Sequence, residues 1–164
     1  MNEEKKRLQS VCFTGHRPGK LGVSESEVKE RLRKAILQAV ADGFTTFISG
    51  MAQGVDMWAA EIVLEIRKSN PDIRLFCTSP YEGFERLWDK SERERYYKIM
   101  EESDFSKYIC EHYSRSCFQI RNVYMVDRSA RVIAAYNGHS GGTRNTVVYA
   151  RKKGITIVNV LEQE

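Results

Sequence analysis

The chain has 164 residues, of which 41% are apolar and 29% are charged, and this length suits one domain with a single core. No uninterrupted apolar segment approaches the roughly 20 residues that span a bilayer, and the first ten residues lack the apolar core of a signal peptide, so we expect a cytoplasmic protein without a membrane partner. The net charge of +4 is spread over mixed acidic and basic segments, whereas nucleic-acid-binding proteins concentrate basic residues in one stripe, so we expect no nucleic-acid partner.

Six short apolar runs predict the strands of a sheet. Several of them are continuously apolar and rich in Val, Ile and Phe, which is typical of parallel strands that are buried on both faces. In chain order the predicted strands cover residues 10–15, 45–50, 72–80, 107–112, 131–138 and 155–160.

Segments with helical periodicity separate these strands. The first begins with a capping box of Ser24 and Glu27, carries an apolar stripe, and ends before Gly43. In the second, Trp58 lies on the apolar stripe, so we interpret it as core packing and not as a base-stacking platform. The predicted helices cover residues 24–42, 55–68, 91–102, 118–129 and 143–153.

Strands that alternate with helices through short connections predict the fold class. We expect an α/β, Rossmann-like, doubly wound and mainly parallel sheet of about six strands with helices on both faces. The whole chain, 1–164, forms one domain in this interpretation, with a disordered tail at 1–9.

The four cysteines do not predict a metal site. No CxxC motif occurs, and Cys110 and Cys117 lack the usual zinc spacing. Cys12 and Cys77 lie inside apolar runs, where a free cysteine packs as a small hydrophobic residue. We therefore expect reduced structural thiols.

Three glycine-rich loops follow predicted strands, at residues 15–20, 49–56 and 138–143, and contain 7 of the 11 glycines. In open α/β sheets, ligands bind beyond the carboxyl ends of the strands. Glycine lets the backbone approach a ligand, and a helix that begins there offers free N–H groups to an anion such as phosphate. The alternative is an ordinary strand-to-helix turn with Ser140 or Thr143 as the cap. Neither GxGxxG nor a Walker motif is present, which argues against dehydrogenase-type NAD binding and P-loop hydrolysis.

Individual side chains in these loops suggest roles for a bound ligand. Arg17 could clamp a phosphate, and His16 could donate to the same ligand or cap the turn. Asp56 could accept from a ribose hydroxyl or simply favour the helix dipole, while Arg121 and Asn122 begin a helix that could reach the same crevice. The predicted ligand-binding residues are Gly15, His16, Arg17, Ser49, Gly50, Gly54, Asp56, Asn122, Gly141, Gly142 and Thr143.

No complete catalytic set is evident, so the sequence leaves open whether the chain is an enzyme. Glu111 and Asp127 are candidates for acid–base chemistry only because they lie near the fourth strand.

Several motifs resemble those of a known family. FTGHRP, SGMAQGVDMWAAE, RNVYMVDRS and GHSGGTRNTVVYARKKG are similar to motifs of the SLOG superfamily, and particularly of its YpsA-like branch of small Rossmann-like proteins. The resemblance implies a Rossmann-like fold that binds a nucleotide or a nucleotide derivative, including ADP-ribose or NAD-like ligands, without firmly implying a cofactor.

Two departures from better-known relatives limit what the resemblance implies. LOG-type phosphoribohydrolases carry PGGxGTxxE, whereas this chain reads SGGTRNTVVY and lacks that glutamate. DprA-like proteins bind single-stranded DNA, but the sequence shows no obvious aromatic-plus-basic groove. Our hypothesis is a nucleotide-binding sensor or regulatory module. A nucleotide N-glycosidase related to phosphoribohydrolases and DprA-like single-stranded DNA binding are the alternatives, and homo-oligomerisation stays open.

Overall fold

The computed structural model describes residues 2–162 and shows six parallel strands alternating with helices. The strands are β1 Ser10–Gly15, β2 Thr46–Ser49, β3 Arg74–Ser79, β4 Phe105–Tyr108, β5 Arg131–Ala135 and β6 Thr156–Asn159. The helices are α1 Glu3–Leu8, α2 Glu25–Ala41, α3 Val55–Arg67, α4 Lys90–Glu102, α5 Cys117–Asp127 and α6 Gly142–Lys152, with a 3-10 turn at Pro18–Lys20. Within residues 2–162 no helix is both long and apolar enough to cross a membrane.

The sheet confirms the predicted fold class. Its strand order is β4-β3-β2-β1-β5-β6, so the chain moves outward from β1 to one edge and then returns to the other side of β1. Val11 in β1 pairs with Phe47 in β2 and with Arg131 in β5. Since the strand order reverses between β1 and β5, the crevice outside their carboxyl ends is the expected ligand site of a doubly wound sheet.

Two hydrophobic cores lie on the two faces of the sheet. Buried residues of α2, α3 and α4 pack with β1, β2, β3 and β5 on one face, while residues of α5 and α6 pack on the other. Phe13 and Cys12 illustrate the division, because neighbouring strand residues point to opposite faces. Trp58 lies in the first core, which confirms its interpretation as a packing residue.

The fourth strand differs from its prediction at 107–112. It occupies Phe105–Tyr108 at the edge of the sheet, where all four residues are exposed, so it lacks the continuously apolar pattern of a buried strand. The apolar run follows the strand instead. Ile109 and Cys110 donate their N–H groups to the carbonyls of Ser79 and Pro80, both at 2.9 Å.

The N-terminal segment also differs from the expected disordered tail. Residues Glu3–Leu8 form α1, and the Asn2 side chain caps it by accepting from the N–H of Lys5 at 2.8 Å. Arg7 pairs with Glu4 at 2.7 Å and donates to the carbonyl of Ser129 at 3.3 Å, which attaches the helix to the domain. Such caps and ion pairs are only a weak signal for a helix in the sequence, because they form only once the helix exists.

Candidate functional site

A cleft of about 590 Å³ opens at the predicted edge of the sheet. This volume lies within the range of small-molecule sites in proteins. Eight of the eleven predicted ligand-binding residues line it, namely Gly15, His16, Arg17, Asp56, Asn122, Gly141, Gly142 and Thr143. The loops after β1 and β5, the first turn of α3 and the second turn of α5 therefore meet in one place.

The N-terminus of α6 is open toward this cleft. Its N-cap, Gly141, has φ +136° and ψ −170°, a conformation that is essentially restricted to glycine. No side chain caps the helix, and a Cβ at Gly142 would meet no atom within 4 Å. The first N–H groups of the helix thus lack intrahelical partners and lie at the positive end of its dipole, an arrangement that suits an anion.

Basic side chains add positive charge to the same cleft. Arg17 and Lys20 are exposed and line it. Among residues 2–162, no ion pair within 4 Å includes either of them. Both cations are therefore available to an anionic ligand.

Asp56 is a buried carboxyl group at the floor of the cleft, with 6% of its surface exposed. Its Oδ2 accepts the N–H of Ala52 at 3.2 Å. Burial raises the pKa of Asp56 to about 6, against the opposing effects of Arg121 and the Ala52 N–H. The group therefore changes charge just below neutral pH.

Arg121 and Asn122 form a buried polar pair beside Asp56. The Arg121 Nε donates to Asn122 Oδ1 at 2.9 Å, and its Nη1 donates to the carbonyl of Gly50. Burial lowers the pKa of Arg121 from its usual value. Because Oδ1 of Asn122 accepts from Arg121, the amide nitrogen is left as a donor, and within residues 2–162 it has no hydrogen-bond partner.

His16 lies deep in the cleft wall, with 8% of its surface exposed. Its ring centroid is 5.6 Å from that of Tyr136, and its Nε2 is buried without a hydrogen-bond partner among residues 2–162. Burial lowers the pKa of His16, and nearby His139 and Lys20 act in the same direction. The ring is therefore neutral at pH 7 and above.

Three of the predicted residues do not line the cleft. Ser49 is fully buried and donates to the carbonyl of Asp56 at 2.9 Å. A Cβ at Gly50 would lie 2.9 Å from Cδ of Arg121 and 3.0 Å from Oδ2 of Asp56, while a Cβ at Gly54 would lie 2.9 Å from the ring of Pro18. The second glycine loop therefore supports the side chains of the site, and Ala52 already donates its N–H to Asp56.

Four aromatic residues also line the cleft and were not among the predicted ligand contacts. Tyr81, Phe84 and Trp88 come from the loop after β3, and Phe118 comes from the first turn of α5. We call these four residues the aromatic wall. Because the loop follows the carboxyl end of a strand, the rule that identified the glycine loops would also have pointed to it.

The other carboxylates considered for chemistry lie elsewhere. Asp127 accepts from the hydroxyl of Tyr149 at 2.6 Å and from Nζ of Lys153 at 2.8 Å, between α5 and α6. Glu111 is exposed, and neither residue lines the cleft. Of the part of the chain that the structure describes, only Asp56 brings a carboxyl group to the cleft, and no group of three potential metal ligands occurs there.

A variant of Gly15 tests how tightly the cleft is built. A Cβ at Gly15 would lie 2.5–2.8 Å from the side-chain atoms of Val55 at the start of α3. We expect Gly15→Ala to lower the free energy of unfolding by about 1–3 kcal/mol, since overpacking forces the neighbours to shift. Urea unfolding measures this, with Gly19→Ala as the control because a Cβ there meets no atom within 4 Å. Equal stability of the two variants would show that α3 moves without cost.

The fold and the cleft define a Rossmann-like protein of the SLOG type. The model of the YspA SLOG family matches residues 11–156, and the chain belongs to this family. It is similar to the UPF0398 protein of Bacillus thuringiensis (strain Al Hakam), with 29% identity over 160 residues that cover 93% of this chain and 87% of that protein. The UPF0398 protein of Bacillus cereus (strain Q1) matches with the same identity and coverage, 29%, 93% and 87%.

Two solved structures share the fold. DNA processing protein A (DprA) of Streptococcus pneumoniae superimposes with a TM-score of 0.64 at 19% identity, over 95% of this chain and 51% of that chain. DprA of Helicobacter pylori, whose structure concerns its single-stranded DNA binding mode, gives a TM-score of 0.62 at 17% identity, over 94% of this chain and 66% of that chain. The chain thus spans about half to two thirds of the length of these neighbours, and the likeness concerns the fold.

Proposed function

We propose that this protein binds a nucleotide or a nucleotide derivative in the cleft and acts as a sensor or regulatory module. The observation that carries the proposal is the uncapped N-terminus of α6, where Gly141 and Gly142 line the cleft and leave the first N–H groups open. A phosphate placed there gains hydrogen bonds and the helix dipole. Membership of the SLOG family and the nearby basic side chains support the same assignment.

Arg17 supplies the fixed positive charge in this proposal. Arg17→Ala is expected to weaken binding of a phosphorylated ligand roughly 10- to 150-fold, the range for losing a hydrogen bond to a charged group. The measurement is a thermal-shift screen of nucleotides, dinucleotides, ADP-ribose and cyclic nucleotides. A ligand at about 100 times its dissociation constant adds about 2.7 kcal/mol to the stability of the folded protein.

Arg151→Ala is the matched control for that variant. Arg151 is exposed in the last turn of the same helix, so its removal changes the net charge equally at the far end of α6. If the ligand raises the thermal midpoints of Arg17→Ala and Arg151→Ala equally, the proposed phosphate site is wrong. The same holds if no compound in the screen stabilises the protein.

A second candidate function, hydrolysis of an N-glycosidic bond, is favoured by Asp56. This carboxyl group lines the cleft, and its pKa of about 6 suits proton transfer near neutral pH. The test is release of free base from AMP, NAD or ADP-ribose, abolished in Asp56→Ala. If the wild-type protein binds these compounds and releases no base, the protein binds without hydrolysis.

Binding of single-stranded DNA is a third candidate. Our expectation of no nucleic-acid partner relied on the spread of charge and on the lack of an obvious aromatic-plus-basic groove. The cleft, however, contains the aromatic wall together with Arg17, Lys20 and Arg121. The likeness to DprA points in the same direction. Fluorescence anisotropy with single-stranded oligonucleotides at about 50 mM salt tests this, because phosphate contacts are strong at that ionic strength. No binding under these conditions rules the candidate out.

A further inference from the structure

We infer that the base of the bound nucleotide stacks on Phe118 and Tyr81, and that the amide nitrogen of Asn122 donates a hydrogen bond to an acceptor on the edge of that base. The inference rests on the proposed function, because it assumes a nucleoside phosphate whose phosphate lies at the N-terminus of α6. It adds a base-recognition surface to the same cleft.

One face of α5 carries the relevant side chains. Phe118, Arg121 and Asn122 are three and four positions apart, so they lie on the same side of the helix. All three line the cleft. An aromatic ring, a cation and an amide thus meet any ligand from one rigid element.

Core packing does not account for Phe118 and Tyr81. Phe84 and Trp88 pack against the first hydrophobic core, whereas Phe118 and Tyr81 belong to neither core cluster. Phe118 has 39% of its surface exposed although it lines a cleft. Tyr81 meets Phe118 edge to face, with centroids 6.2 Å apart and an angle of 78° between the rings. The two rings do not stack on each other, which leaves stacking to a planar ligand.

The unpaired amide of Asn122 is the second observation. The residue is buried, with 8% exposed, and its Oδ1 is occupied by Nε of Arg121. Its amide nitrogen lies at the cleft without a partner among residues 2–162. The nitrogen itself is not fully buried, so it is accessible from the cleft and free to donate to a ligand. Ring nitrogens and carbonyl oxygens of bases are acceptors that match this donor.

The position of this surface in the sheet fits an extended ligand. The phosphate site follows β5 and the Tyr81 loop follows β3, and three strand spacings, about 14 Å in all, separate these strands. A ligand that contacts both sides needs a second recognition group well separated from its phosphate. Nucleoside phosphates have this property, whereas inorganic phosphate does not.

Isothermal titration of the full chain with AMP, GMP, CMP, UMP and ribose 5-phosphate tests the inference. We expect at least one nucleoside monophosphate to bind more tightly than ribose 5-phosphate. Phe118→Ala should weaken the tightest of them roughly 5- to 150-fold, the range for base–aromatic stacking, and leave ribose 5-phosphate unchanged. Asn122→Ala should likewise weaken binding of the nucleotide and leave binding of ribose 5-phosphate unchanged.

Ile120→Ala is the matched control, because Ile120 lies on the same helix with 47% exposed and does not line the cleft. Tyr81→Ala is the second stacking variant, and the thermal midpoint of each variant confirms folding. Ribose 5-phosphate binding as tightly as all four nucleotides overturns the base site while the phosphate site stands. No binding of any probe overturns the proposed function as well.

A competition experiment with a single-stranded oligonucleotide shows whether the base belongs to a free nucleotide or to a nucleic-acid strand. A single-stranded oligonucleotide that competes with the monophosphate and loses affinity in Phe118→Ala supports stacking and identifies a strand as the source. An oligonucleotide that does not compete leaves the free nucleotide as the ligand. An oligonucleotide that binds equally well to Phe118→Ala and to the wild type argues against stacking of its bases on this surface.

Discussion

At pH 8 the Asp56→Asn variant is expected to be more stable than the wild-type protein by about 3 kcal/mol, since each unit of pKa shift corresponds to about 1.4 kcal/mol. Burial raises the pKa of this carboxyl group from 3.8 to about 6. The ionised form is therefore less favourable in the folded protein than in the unfolded chain. Asparagine keeps an oxygen for the N–H of Ala52, which donates to Oδ2 in the wild type, and it carries no charge.

The dependence on pH identifies the cause of this effect. Between about pH 4 and pH 6 the folded protein holds a proton on Asp56 that the unfolded chain has released, so wild-type stability falls as the pH rises through this window. Below the window both states are protonated, and the two proteins should be equally stable. Urea unfolding at intervals from about pH 4 to pH 8 measures the difference.

Asp127→Asn is the control with the opposite sign. Burial acts to raise the pKa of Asp127, but hydrogen bonds from Lys153 and Tyr149 together with the charge of Lys153 hold it below its usual value. Its stabilising contribution is therefore present above the unfolded pKa and is lost as the pH falls through the folded one. That variant should be less stable than the wild type at pH 8. If Asp56→Asn also loses stability there, attraction between Asp56 and Arg121 outweighs the effect of burial.

A buried carboxyl group with a raised pKa at a cleft is typical of functional sites. Asp56 lines the cleft next to two other buried polar groups, Arg121 and Asn122. Proteins keep such unfavourable groups chiefly where a ligand or a reaction uses them. Asp56→Asn therefore also separates the candidate functions, because hydrolysis requires the carboxylate whereas phosphate binding at the N-terminus of α6 does not.

The sequence was sufficient for the fold because its strongest signals are local. The buried parallel strand Ser10–Gly15 contains the uninterrupted apolar run Val11–Phe13. Ser24 caps Glu25–Ala41 by accepting the N–H of Glu27, as the capping box predicts. The edge strand Phe105–Tyr108 has no such pattern, because both of its faces are exposed. Helix Glu3–Leu8 is attached to the domain by a distant contact from Arg7 to the carbonyl of Ser129, which no local pattern reveals.

The candidate site was predictable in its location and less so in its details. Glycines at strand ends indicate the edge of the sheet, but glycine serves two purposes there. Gly15 and Gly54 leave room for Val55 and Pro18, while Gly142 has open space beside it. Only the tertiary structure distinguishes these cases, because the neighbouring atoms come from other segments of the chain. The strand-end rule also points to the loop after β3, but the meeting of its rings with Phe118 of α5 is visible only in the tertiary structure.

Gly142→Val is expected to weaken binding of a phosphorylated ligand by a factor of at least about 100. The free energy of unfolding of the variant should stay within about 0.5 kcal/mol of the wild-type value. A Cβ at this position meets no protein atom, and the backbone φ of Gly142 is not positive. The Cβ of the added side chain therefore has room in the ligand-free protein. It fills the space through which a phosphate must approach the first N–H groups of α6.

Gly19→Val provides the matched control, because Gly19 also has open space around a Cβ and a φ outside the positive range, yet it does not line the cleft. Gly142→Ala should give an intermediate loss, since one methyl group fills less of the approach. Isothermal titration gives the affinities, and thermal unfolding gives the stabilities. Retained binding in Gly142→Val would mean that the phosphate lies elsewhere. Gly142 would then be an ordinary turn glycine, and Arg17 would have to hold the anion without the helix.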